Sequence, residues 1–383
     1  MADGTSIEWT DATWNPVTGC SVVSPGCTNC YAMKLAGTRL RNTASRRGLT
    51  RDSKAGPVWT GEVRLNEEWL DQPLRWRRPR KIFVCAHGDL FAENVPDEWI
   101  DRVFAVMALA PQHTFQVLTK RAKRMREYLT RPYRAGQFTS ILEDGRAIDT
   151  PAAHVRTHAA MCDLLPKAPA AALNRASAWQ ARHNPGDDGF IRFWPLPNVW
   201  LGVSAEDHAR AAERVPELLA TPAAVHFVSA EPLLGQINFH WMYMAGTNGL
   251  DALSGETEER ETGRLLPGPK LDWIIVGGES GQDARPMHPA WARSIRDQCA
   301  AHSVPFFFKQ WGAWAWSPDT MNFAEGEAWA RSVGANFFEQ HSSGHTAALI
   351  GKHRAGRLLD GVEHNALPEG RSTELRFESG KRL

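Results

Sequence analysis

The stretch VWLGVSAEDHARAAERVPELLATPAAVHFVSAEP, from Val199 to Pro232, decides the fold. It opens and closes on the runs VWLGV and VHFVS, which are continuously apolar rather than alternating, the pattern of parallel strands covered on both faces or lining a barrel. Between them Ala212, Val215, Leu218 and Leu219 recur at helical spacing, and Pro216 predicts a kink or an interruption. Strand, helix, strand within this length is one βα unit, whose crossover is right-handed.

The pattern extends in both directions. KIFVC (Lys81 to Cys85), TFQVL (Thr114 to Leu118), WIIVG (Trp273 to Gly277) and PFFFK (Pro305 to Lys309) read as further strands. Helices are predicted after Pro96, where DEWIDRVFAVMALA opens on acidic residues, and after Pro289, where Trp291, Ile295 and Cys299 share one face. The strand starts are 33, 85, 26, 48 and 32 residues apart, so two intervals carry insertions. The longer, about 131–197, is punctuated by Pro and Gly and reads as a small helical subdomain or lid. The shorter, about 238–269, is rich in Gly, Thr and Glu and reads as a mobile loop.

The 383 residues are 43% hydrophobic and 23% charged, which excludes a disordered, collagenous or coiled-coil chain. No apolar run reaches the roughly 18 residues that a membrane span needs. MADGTSIEWTD at the start lacks the basic and apolar segments of a signal peptide, so a cytoplasmic location and no membrane partner are expected. The net charge of +1 conceals an asymmetry, because residues 31–134 hold 21 basic against 11 acidic side chains. The excess gathers in Arg39 to Arg51, in LRWRRPRK around Trp76 and in KRAKRMR (Lys120 to Arg126). Basic clusters with an aromatic among them suit phosphate contact and base stacking, although solvated helix faces read the same way. Sixteen tryptophans against four tyrosines have no explanation in composition alone.

Each strand is followed by polar residues, and in parallel α/β folds the loops at these carboxyl ends converge. KIFVC leads to His87 and Asp89, TFQVL to Lys120, VWLGV to Ser204 and Glu206, VHFVS to Glu231. WIIVG ends in Gly277 and leads to Gly278, Glu279 and Ser280, and the last strand ends in Lys309. Helix capping is the competing reading for Ser204 and Ser280. The paired glycines let a ligand approach the backbone and leave N–H groups free for an anion.

Cys20, Cys27 and Cys30 fall within GCSVVSPGCTNCYA, and such spacing in a cytoplasmic chain points to a metal or cluster rather than to disulfides. Three soft thiolates suit three irons of a [4Fe–4S] cluster, leaving the fourth iron open. Zinc needs a fourth ligand, which only distant residues such as Cys85 or His87 would supply. Cys299 reads as a core thiol, and Cys85 as core packing or a hydrogen donor near the mouth.

NPVTGCSVVSPGCTNCYA, VWLGVSAED, VHFVSAEPLLG, DWIIVGGESG with ARPMHP, and RDQCAAHSVPFFFKQWG together resemble the phage-associated three-cysteine-motif proteins, a family of unknown function. That family is similar to radical S-adenosylmethionine enzymes. The resemblance implies an α/β fold, a partial (β/α)6 TIM-like barrel over 1–320 with a cysteine-rich N-terminal loop and the two insertions, then an extension over 321–383. It implies Cys20, Cys27 and Cys30 as ligands of a [4Fe–4S] cluster whose open iron binds S-adenosylmethionine. The strand-end reading sets Glu206, Glu231, Gly277, Gly278, Glu279, Ser280 and Lys309 around the expected cofactor or substrate, with Cys85, Asp89 and Lys120 as catalytic candidates. The common radical-enzyme spacing has three residues between its first two cysteines, and this chain has six; Asn29 stands where that pattern has an aromatic.

The expected chemistry is reductive cleavage of S-adenosylmethionine, fed by an electron-donor protein, with hydrogen abstraction from a substrate bearing phosphates: DNA, RNA or a nucleotide. The alternative is a non-catalytic nucleic-acid-binding protein whose cysteines form a metal knuckle.

Overall fold

The computed structural model describes residues 4–132, 139–141, 147–149, 152–183, 194–243, 247–335 and 337–369. Seven parallel strands form the main sheet: β1 (Ala12–Trp14), β2 (Lys81–Val84), β3 (Thr114–Thr119), β4 (Val199–Ser204), β5 (Val225–Ala230), β6 (Trp273–Gly277) and β7 (Phe306–Gln310). They lie side by side in chain order, β1 to β7, as a curled half-barrel with an edge at each end. All six apolar runs become strands, and β1 is an addition. Its three residues pair with Ile82, Phe83 and Val84.

Helix α1 (Tyr31–Gly37) packs in a separate small cluster with Leu49 and Trp59, while connecting helices cover the outer face: α2 (Asp97–Ala108), α3 (Ala122–Thr130), α4 (Ala152–Leu164), α5 (Ala170–His183), α6 (His208–Leu219) and α7 (Pro289–Ala301). Alternate strand residues divide the core accordingly. Ile82, Val84, Phe115, Val117, Leu201, Val203, Ile274 and Val276 pack in the large core that these helices share. Trp9, Trp200, Phe227, Trp273 and Phe307, with Phe83 and Leu118, fill the inside of the curl. Trp273 is the hub, edge-on to Trp9 and Trp200 at 6.1 Å from each ring. Gly202 makes room there, since a Cβ at that position would stand 2.5 Å from the Phe227 ring. Part of the tryptophan excess is thus the filling of an open half-barrel.

Pro216 does not interrupt α6, which runs from the Asp207 cap to Leu219. Of the longer insertion, α4 packs on α2 through buried Ala153 and Met161 and an Arg156–Asp101 ion pair at 3.0 Å. The shorter insertion is not the expected mobile loop. It folds as an antiparallel sheet of Thr247–Leu250, Glu256–Glu259 and Leu265–Pro267, with Leu250, Ala252, Leu253 and Leu271 buried beside Phe239. Its Gly, Thr and Glu content disguised two tight turns, at Gly255 and Gly263, as loop composition. After β7, Trp314–Trp316, Phe338–Gln340 and Thr346–Leu349 form another small sheet, beside a helix over Phe323–Ser332. No helix of the described residues is long and apolar enough to cross a membrane.

His113, just before β3, is 1% exposed. Its Nε2 lies 3.1 Å from the Pro73 carbonyl and its Nδ1 has no partner. Burial, with Arg80 and Arg175 nearby, pushes its pKa down to about 4, against an opposing hydrogen bond to Pro73. The unfolded chain therefore takes up this proton first as pH falls, so the stability present above pH 6.5 declines between 6.5 and 4. At pH 4.5 the loss is on the order of 2–3 kcal/mol. Urea titrations at pH 7.5 and 4.5 should show that drop and a smaller one for His113→Phe; equal drops would remove His113 as the cause.

Candidate active site

The carboxyl ends of the strands open on a cleft of about 410 Å³. Cys20, Cys27 and Cys30 line it from the loop after β1, and Cys85, Asp89 and Lys120 from the ends of β2 and β3. Glu231, Gly278, Glu279, Ser280 and Lys309 line it from the later strands. Sequence positions spread over 290 residues thus meet at one mouth, as the topology requires of sequential parallel strands.

The cysteine loop is built locally by a short 3₁₀ turn, Pro25–Cys27, entered from extended Ser24, and by α1, which Cys30 caps. Burial, with Asp89 nearby, pushes the Cys20 thiol up to about 12 despite Arg121, whose Nη1 donates to the sulfur at 3.4 Å. Burial also raises Cys30. These are neutral thiols that a bound metal would deprotonate. The three sulfurs do not close to within 4.8 Å of one another. All six cysteines are free.

Two carboxylates hold this loop, Glu206 from beneath it and Glu279 from the wall of the cleft. Glu206 is completely buried and does not line the cleft. It accepts the Gly26 N–H at 3.0 Å and Arg214 Nη1 at 3.1 Å, and Arg214 also bonds the Ser204 carbonyl at 2.8 Å. Burial pushes the Glu206 carboxyl up, but Lys120, Ser24, the Gly26 N–H and Arg214 together hold it below the ordinary value. Glu279 accepts Arg285 through both oxygens, at 2.6 and 2.9 Å, and Asn29 Nδ2 at 2.9 Å. Arg285 also reaches the Pro25 carbonyl at 3.0 Å, so β6 clamps the loop at Pro25 and Asn29. Asn29, in the place of an aromatic, is the tether. Asp89 ties the β2 loop to β3 by accepting Thr119 Oγ1 at 2.7 Å and the Lys120 N–H at 3.0 Å, and its ion pair with Arg121 spans 3.3 Å.

Other groups also face the opening. Lys309 Nζ pairs with Glu231 Oε1 at 2.9 Å, and Ser229 Oγ donates to the other oxygen at 3.0 Å. Gly277 is required beside them, because a Cβ there would stand 2.4 Å from Glu231 Oε1. Gly278 gives its N–H to the Gln310 carbonyl at 2.9 Å, so that amide is not free for an anion. Lys120 has no ion pair among the described residues. Cys85 is buried with a left-handed backbone, φ 57°, and burial pushes its thiol up to about 12. Ser280 is exposed and caps nothing; His288 caps α7 and Asp207 caps α6.

The sequence profile of a family described as protein of unknown function (DUF5131) matches residues 4–368. The chain belongs to DUF5131. No curated protein and no solved structure matches it. The loop-holding residues of this DUF5131 chain that the sequence did not single out are Arg214, Arg285 and Asn29. Arg121 was grouped with the phosphate-binding clusters, yet it is buried on Asp89 and Glu93. Its neighbours Arg124 and Arg126 bind the Ala92 and Val95 carbonyls and Glu217. Arg39, Arg47, Arg51, Arg77 and Arg78 remain exposed. Nothing in one sequence separates an arginine that fastens a loop from one that meets solvent.

Proposed function

We propose that this DUF5131 chain is a radical S-adenosylmethionine-type enzyme acting on a nucleic-acid base or nucleotide. Its Cys20, Cys27 and Cys30 would hold a [4Fe–4S] cluster, its sheet would be a partial (β/α)6 TIM-like barrel, and it would be akin to the phage-associated three-cysteine-motif proteins. The observation that carries the reading is that these cysteines line the same cleft as Glu231, Lys309 and Lys120.

A bound, reduced cluster would supply the one electron that cleaves the C5′–S bond of S-adenosylmethionine, releasing methionine, and 5′-deoxyadenosine would form on taking a hydrogen atom from the substrate. The chain does the rest. The Glu279–Arg285 clamp and the Glu206–Arg214 pair fix the cysteine loop, and the Arg121–Asp89 pair fixes the position of Cys20. Lys120 offers a cation to a carboxylate or phosphate, while Glu231 and Lys309 offer an acceptor and a donor to hydroxyl and amino groups. Ser280, on the exposed rim of the cleft, would offer a hydroxyl to the cofactor. Trp9 and Phe83 give the cleft an apolar wall, which excludes water from reactive species. Exposed arginines of residues 39–78 are the expected contacts for phosphates, a cytoplasmic donor protein the source of electrons.

Anaerobic purification tests this directly. The expected protein is brown, holds about four irons per chain, and converts S-adenosylmethionine to 5′-deoxyadenosine under dithionite. A colourless zinc protein, or a fully reconstituted cluster that cleaves nothing, would overturn it; the first of these outcomes would favour the metal-knuckle alternative.

A further inference from the structure

At the opposite end of the sheet from the cysteine cleft, His240, Asp251 and His302 each bring one ligand atom to within 4.8 Å of the others. Among the described residues no other trio of His, Cys, Asp or Glu is gathered so closely. The three come from separate elements. His302 caps the end of α7, which runs back from the cleft toward the start of β7. His240 follows a segment that Gln298 of α7 pins from both sides, bonding the Phe239 N–H at 2.9 Å and the Ile237 carbonyl at 3.0 Å. Asp251 belongs to the inserted antiparallel sheet, just past Leu250.

Asp251 is 5% exposed, and its Oδ1 accepts the N–H groups of Leu253 and Ser254 at 2.9 and 3.0 Å. Its Oδ2 is thereby aimed at His240 Nδ1, 2.6 Å away. A plain hydrogen-bonded pair would account for these two residues but not for the third. The His302 ring lies 5.0 Å from the His240 ring, inclined at 53°, and its nitrogens have no hydrogen-bond partner among the described residues. No lysine or arginine of the described residues pairs with Asp251.

We propose that His240, Asp251 and His302 bind one Zn²⁺, fastening the inserted sheet to the end of α7. Two imidazoles and a carboxylate are a borderline donor set that suits Zn²⁺ and disfavours Mg²⁺ or Ca²⁺, which take oxygen ligands. The carboxylate supplies charge, the imidazoles bind as neutral ligands, and the half-exposed edge of the group leaves a fourth position to water. Because the ligands come from separate elements, the ion acts as a clip on the native state and stabilises it by mass action.

The test uses the full chain carrying Cys20→Ser, Cys27→Ser and Cys30→Ser, stripped with a chelator, so that thiolates of the cleft do not compete. Zinc titration is expected to find one tight equivalent and a melting temperature that rises with zinc concentration. His240→Ala and His302→Ala should each weaken binding by at least about 100-fold, more than follows loss of a residue that merely supports a ligand. Far-UV circular dichroism of the metal-free variants should match the parent. If the parent or a variant fails to fold, Co²⁺ bound to the unsubstituted chain decides. Ligand-field bands from a site without thiolate charge transfer support the trio, and thiolate bands alone reject it. Zinc affinity unchanged by either histidine substitution, or no binding to the folded triple variant, would likewise overturn the proposal.

Discussion

Replacing Cys27 with alanine is expected to abolish both iron retention and 5′-deoxyadenosine formation while the chain still folds. Cys27 is 7% exposed in the Pro25–Cys27 turn, and alanine removes only its sulfur, so the structural loss is small, about 1 kcal/mol. The chemical loss is complete, because no other described thiol is placed on that turn to take over the ligand position. Cys299 is buried in the outer core and Cys162 is exposed on α4. Cys299→Ala therefore serves as the control, with iron and cleavage unchanged. Iron content by atomic spectroscopy and product by chromatography check both. Retention of either iron or cleavage in Cys27→Ala would reject these ligands.

Arg214→Met is expected to cost about 3–5 kcal/mol of stability, since it leaves the fully buried Glu206 carboxylate without its cation. The pair is 3.1 Å long, with both side chains almost wholly excluded from water, so screening by solvent does not diminish it. The same change loosens the Glu206 carboxylate, whose acceptance of the Gly26 N–H is the strut beneath the cysteine turn. Cys27 should then react with a thiol reagent much faster than in the parent. Adding Glu206→Leu should restore much of the stability but not the protection of Cys27, which separates the energetic from the positional role. Urea melts and thiol labelling measure the two; a loss below 1 kcal/mol with Cys27 still protected would show the pair to be dispensable.

The parallel sheet was legible because strands buried on both faces leave a dense apolar signature that few other structures leave. Val199–Ser204 and Val225–Ala230 are buried at every position. Strand β1 was not legible: three residues on an edge, with Thr13 half-buried, carry too little pattern to stand out from their polar neighbours. The convergence of strand-end residues on one mouth followed from topology alone. Which of them face the mouth did not. Glu206 and Glu231 both follow strands, yet one is sealed under the loop by an arginine eight residues on, and the other meets Lys309 in the open cleft. A carboxylate's identity in the sequence is the same in either setting; only its partner differs. The basic excess likewise looked like one surface, but Arg121 is interior.

The chain-order arrangement of the sheet has a consequence for biosynthesis. Each strand from β2 onward docks against the strand made just before it, so the sheet can grow outward from β1 as the chain emerges, without waiting for a distant partner. Such growth ends on a naked edge, a template for unwanted pairing between molecules. Here a later segment closes it: the His364 carbonyl accepts the Phe308 N–H, Asn365 bridges Phe307, and the Ala366 carbonyl accepts the Trp273 indole N–H at 2.9 Å. A chain broken off before His364 leaves the edge of β7 open to pairing with another molecule.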